Sequence, residues 1–98
     1  MAHVETTLGL ISGRWKLQIL FRLYADHVLR SSQLLRDMPE VSQKVLTQRL
    51  RELERDRLIK RTDFGTQPPH VEYSLTPKGM RLMPVLLEAR QFSADNEK

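Results

Sequence analysis

The chain has 98 residues, 40% hydrophobic and 29% charged, which suits one soluble globular domain with a single thin core. It contains no cysteine, so disulfides, thiolate-bound zinc and an intrinsic thiol switch are excluded within it, and a cytoplasmic setting is expected. The net charge of +4 is concentrated in the middle third, with +1 on residues 1–29, +4 on residues 30–61 and −1 on residues 62–98; such clustering marks either a nucleic-acid partner or a solvated, mixed-charge helix face.

Residues 1–9 lack the basic start and apolar block of a secretory signal, and no apolar run approaches the ~18 residues that span a bilayer. Val4, Leu8 and Ile11 fall at i, i+4 and i+7, which predicts a short first helix ended by Ser12-Gly13. A second helix follows over residues 14–24, with Trp15, Ile19, Leu20 and Leu23 on one face. His27 to Arg30 reads as a small edge strand. Ser31 or Ser32 then caps a third helix, Gln33 to Met38, which Pro39 stops because proline can neither donate the next hydrogen bond nor fit against the preceding turn.

Only Glu40 and Val41 separate Pro39 from Ser42, the expected N-cap of a fourth helix. At about 100° per residue, Leu46, Leu50 and Leu53 of that helix share a narrow sector and face the core. Lys44, Gln48, Arg51 and Arg55 project from the opposite side, with Thr47 at its margin. The acids Glu52, Glu54 and Asp56 are displaced from that face, an arrangement that contact with water alone does not call for.

Leu58 to Phe64 and His70 to Leu75 read as paired strands around the turn-rich tip Gly65-Thr66-Gln67-Pro68-Pro69. Thr76-Pro77 opens a last helix, threonine at the cap and proline at the first helical position. Its apolar residues Met80, Leu82, Met83, Val85, Leu86, Leu87, Ala89 and Phe92 cover well over half of a helical wheel. One small domain cannot bury so wide a stripe, so a second surface is expected to cover part of it. Pro84 is expected to kink this helix. Residues 1–92 form the domain in this reading, and residues 93–98 a frayed polar tail.

Helix, three-residue turn, helix and hairpin together describe a winged helix-turn-helix: mainly α, with a small antiparallel β-hairpin. The major groove is about 12 Å wide and admits one helix, whose N-terminal residues meet base edges. Gln43, Lys44, Thr47, Gln48 and Arg51 have the chemistry for this: lysine and arginine donate to guanine O6 and N7, glutamine pairs with adenine or serves phosphates, and threonine meets a thymine methyl or a phosphate. Arg14, Lys16, Ser32, Ser42, Arg55, Arg61 and His70 are candidate backbone contacts. Arg61 has an alternative partner in Glu72 across the hairpin. His3 and His27 have no companions at metal-ligand spacing, and no metal or cofactor is expected. Trp15, Met80, Met83 and Phe92 are most simply core or interface residues, with a small-molecule effector pocket among them as the other reading. No nucleophile with a base, paired carboxylates or phosphate-cradling glycine loop is evident, so catalysis is not expected.

The blocks VETTLGLISGRWK (Val4 to Lys16), LRSSQLLRDMP (Leu29 to Pro39), VSQKVLTQRLRELERDRLIKR (Val41 to Arg61) and PPHVEYSLTPKG (Pro68 to Gly79) occur in that order and together cover most of the chain. In them the sequence resembles the HxlR-type winged helix-turn-helix transcriptional regulators. The resemblance implies a homodimer held by the first and last helices, with Val4, Leu8, Leu82, Met83, Leu86, Leu87 and Phe92 at the interface. It also implies a sequence-specific double-stranded operator and repression or activation of nearby genes, with the Ser42–Arg55 helix in the major groove and the Arg61–His70 hairpin as wing; a dimer is expected to read a pseudo-palindrome. Many members carry a sensing cysteine just before the first block, where this chain has Ala2 and His3, so thiol sensing does not carry over. The turn before the recognition helix often holds glycine; here it holds Glu40. The alternative is a winged-helix protein–protein interaction module, because fold does not fix function.

Overall fold

The computed structural model describes residues 8–9 and 13–96. Leu8 and Gly9 have helical backbone; the remainder of the expected first helix, including Val4 and Ile11, lies outside the described residues. The ordered elements are α1 (Lys16–Asp26), β1 (Val28–Leu29), α2 (Ser31–Asp37), α3 (Gln43–Arg55), β2 (Ile59–Asp63), β3 (Val71–Leu75) and α4 (Pro77–Asn96). The fold is thus mainly helical with a small antiparallel sheet.

The core forms where four helices and the sheet converge. Ile19, Leu20 and Leu23 of α1 meet Leu34 of α2, Leu46, Leu50 and Leu53 of α3, Leu58, Ile59 of β2, and Met83 and Leu86 of α4. Each is all but completely removed from water, and burial of a side chain this size contributes roughly 1.5–3 kcal/mol.

Local chemistry sets the helix ends. Arg30, in extended backbone, takes the N-cap position of α2, and its N–H is accepted by Gln33 Oε1 at 2.8 Å. The expected serine cap is corrected accordingly: Ser31 is the first helical residue and Ser32 the second. Helix α2 ends one residue early, so residues 38–42 form a five-residue connection rather than a three-residue turn. Met38 and Val41 are buried and pin that connection to the core. The N-cap of α3 is Ser42, whose Oγ accepts the Val45 N–H at 3.1 Å. Arg22 of α1 pairs with Asp37 at the end of α2 and, at 3.2 Å, with Asp26, so the two helices before the connection are tied together.

The sheet has the order β1-β3-β2, all antiparallel, with Val28 opposite Ser74 on one edge and Ile59 opposite Leu75 on the other. The hairpin closes where Phe64 N–H donates to the His70 carbonyl at 3.0 Å. At its tip Gly65 takes a φ of 67° and donates its N–H to Asp63 Oδ1 at 2.9 Å, a turn that a side chain would strain.

Helix α4 opens as expected, with Thr76 Oγ1 accepting the Gly79 N–H at 3.0 Å and Pro77 in the first position. It runs on through Pro84 to Asn96, so residues 93–96 extend the helix instead of forming a loose tail.

Candidate nucleic-acid interface

The burial of Leu46, Leu50 and Leu53 fixes which way α3 turns. Gln43, Lys44, Thr47, Gln48 and Arg51 consequently line one open depression on its outer side. Among the described residues none of these five side chains is held by a hydrogen bond or ion pair, and all but the half-buried Thr47 are exposed. The helix N-terminus and Ser42 sit at one end of this face, where free N–H groups favour an anion. Arg55 lies exposed at the other end, 3.7 Å from Asp56.

A cluster of charges flanks the face. Arg49 Nη1 donates to Glu52 Oε1 and Oε2 at 2.9 and 3.1 Å, and its Nε donates to the Arg14 carbonyl at 3.0 Å. Lys16 Nζ approaches Glu52 Oε1 at 3.4 Å and is only 6% exposed. The Arg49 hydrogen bond, helped by Lys16, holds the Glu52 carboxyl below its ordinary value against the opposing effect of burial. Lys16 therefore does not reach outward to phosphate: it is spent on Glu52, inside the protomer. Arg14 remains exposed, its guanidinium 4.6 Å from the centroid of the Trp15 ring.

On the wing Arg61 stands opposite Tyr73, and Glu72 opposite Thr62, so the Arg61–Glu72 pair, the alternative to a phosphate contact, does not form. Arg61 lies instead 3.8 Å from Asp63, two residues along the same strand. Glu72 takes His70, with Nε2 to Oε2 at 2.7 Å, and the His70 ring meets Phe64 edge-on at 4.9 Å. Glu40 is exposed in the α2–α3 connection, as is Ser32 in the first turn of α2.

The expected interface residues that the structure describes separate by burial into three groups. Met83 and Leu86 are buried in the protomer's own core, against the expectation, because α4 turns them toward the rest of the core cluster. Leu82 and Leu87 are half-buried, whereas Leu8 and Phe92 are exposed, Phe92 by 64%. Val85, which sequence reasoning did not single out for the interface, is 55% exposed on the same helix. Arg49 was also missed: nothing in its spacing reveals a carbonyl 35 residues away, and only the fold brings the two together.

Comparison with known proteins adds an independent observation. The model of the HxlR-like helix-turn-helix family matches residues 10–98. An uncharacterized HTH-type transcriptional regulator of Halalkalibacterium halodurans is 41% identical over 91 residues, covering 93% of this chain and 80% of the relative. Among solved structures, a MarR-family transcriptional regulator from Enterococcus faecalis is similar with a TM-score of 0.91 and 35% identity, covering 98% of this chain and 86% of that one. The redox regulator HypR in its reduced form is similar at 0.90 and 37%, covering 97% and 93%.

Proposed function

The chain belongs to the HxlR-like helix-turn-helix family of DNA-binding transcriptional regulators, and from that premise we propose that it binds a specific double-stranded operator as a homodimer. Helix α3 enters the major groove in this reading. Gln43, Lys44, Thr47, Gln48 and Arg51 meet base edges, while Arg14, Ser32, Ser42, Arg55, Arg61 and His70 lie along the backbone. The observation that carries it is the two-sided character of α3: three leucines sealed in the core, and opposite them a cationic, amide-bearing face whose side chains have no partner among the described residues.

The second copy covers Val85 and Phe92, two of the apolar side chains that α4 leaves in water, together with Leu8. Two α3 helices then address half-sites about one helical turn, ~10 bp, apart or a multiple of it. HypR is described as a redox regulator; this chain has no cysteine, so a signal reaching it does not act through a thiol of these 98 residues. No helix among the described residues is long and apolar enough to cross a membrane.

Selection of duplexes from a random pool, followed by titration of the selected duplex against salt, tests the proposal. A two-fold-related consensus and an affinity that falls steeply with salt are expected. A pool without consensus, or binding indifferent to salt, would overturn it in favour of a protein-binding module.

A further inference from the structure

Arg14 occupies an unusual stretch of backbone. It lies between two residues of positive φ, Gly13 at 111° and Trp15 at 83°, and Trp15 begins α1 without a side-chain cap of its own. For a bulky residue such as tryptophan, left-handed backbone is strained and persists only where surrounding contacts determine it. Those contacts come from α3. Arg49 Nε takes the Arg14 carbonyl at 3.0 Å while Arg49 Nη1 grips both oxygens of Glu52, and Glu52 in turn holds Lys16 in the first turn of α1.

Viewed down α3, Glu52 and Arg49 stand about 80° and about 140° round from Lys44, on the flank of the outer face that also holds Gln48. The Arg14 carbonyl is thus drawn in against that flank. Its guanidinium stays exposed, laid over the Trp15 ring, which narrows the conformations a long side chain would otherwise sample. The Glu52 carboxylate is matched by two cations, Arg49 and Lys16, so it does not by itself repel phosphate from Arg14, while Asp37 and Glu40 line a separate depression with Trp15.

We infer that Arg49 is a positioning residue for DNA binding: through the Arg14 carbonyl and Glu52 it holds the Arg14 guanidinium beside α3 as a clamp on a backbone phosphate flanking the bases that α3 reads. Arg49 itself touches no DNA. The inference rests on the major-groove reading of α3 and adds to it the means by which α1 and the recognition helix engage the duplex as one unit.

The test is the slope of log affinity against log salt for the selected operator. Arg14→Ala is expected to make the slope shallower by about 1.8, the loss of one phosphate contact on B-DNA from each protomer of the dimer, without changing the preferred sequence. Arg49→Ala is expected to do the same, and the double variant to lose no more than either alone. Arg49→Lys keeps one donor but not the two-way bridge and should give an intermediate slope; it also serves where the alanine variant melts too low to be measured. A role for Arg49 in the fold alone would lower the melting temperature and leave the slope of the folded protein as it was, which overturns the inference. An unchanged slope in Arg14→Ala, whose exposed side chain can be removed without threatening the fold, or additive losses in the double variant, would overturn it equally. Failure of the wild-type protein to bind any duplex with salt dependence is a separate outcome, and sinks the major-groove reading itself.

Discussion

Gly79 and Leu58 meet backbone to backbone: a Cβ placed on Gly79 would stand 2.2 Å from the Leu58 carbonyl oxygen. That carbonyl also accepts the Thr76 N–H at 3.0 Å, so the start of α4 is seated directly on the chain leaving α3. Lys78 Nζ, donating to the Asp56 carbonyl at 2.9 Å, closes the same junction from outside. The contact sets how α4 leaves the domain, and hence where its exposed apolar side chains point.

Gly79→Ala is therefore expected to destabilise the fold by about 3 kcal/mol or more, since the obstacle is backbone and cannot rotate aside. Urea unfolding with an unchanged m value measures this. A variant as stable as the parent would mean that α4 can shift along the junction at no cost.

Lys44→Ala and Arg51→Ala are each expected to weaken operator binding by about 1–3 kcal/mol while leaving stability within about 0.5 kcal/mol. Both side chains are exposed and support nothing else in the protomer. Binding isotherms and thermal melts on the same preparations separate the two quantities. Full operator affinity in both variants would move the reading face elsewhere.

Acid should loosen the cluster beside α3. The Glu52 carboxyl is held below its ordinary 4.5 by the Arg49 hydrogen bond first and by Lys16 next. A folded pKa lower than the unfolded one means that the charged form stabilises the fold. That contribution is complete above the unfolded value and is lost as pH falls through the folded one. The melting temperature of the wild type should thus exceed that of Glu52→Gln near neutrality, and the gap should close below pH 4.5. A gap independent of pH would mean that the carboxylate charge adds nothing.

On α4, two neighbouring kinds of apolar residue should behave differently. Phe92→Asp places a charge on an exposed position and is expected to give a folded monomer by sedimentation, if a second copy covers that side chain. Met83→Ala, by contrast, empties a site fully closed to solvent and is expected to cost about 2–5 kcal/mol of folding stability whatever the assembly state. A Phe92→Asp protein that still sediments as a dimer would place the interface on another surface.

Much of the architecture was legible in the residues themselves because helical periodicity is a local property. The spacing of Leu46, Leu50 and Leu53 oriented α3, Ser42 marked its start, and Thr76-Pro77 marked the start of α4. Chain signals were less reliable where two caps compete within a few residues, as at Arg30, Ser31 and Ser32, or where a polar sequence can extend a helix that its neighbours already hold, as over residues 93–96.

By itself, then, the order of residues determined which side of α3 is apolar and which is cationic, since a repeat near 3.6 residues needs no knowledge of what lies alongside. Only the tertiary structure decided that Lys16 turns inward to Glu52, that Arg49 reaches the Arg14 carbonyl, and that Met83 and Leu86 belong to the protomer's own core. A helical wheel shows which side chains share a face. It carries no information about which distant segment is packed against that face, and for a charged or apolar side chain that neighbour settles what it does.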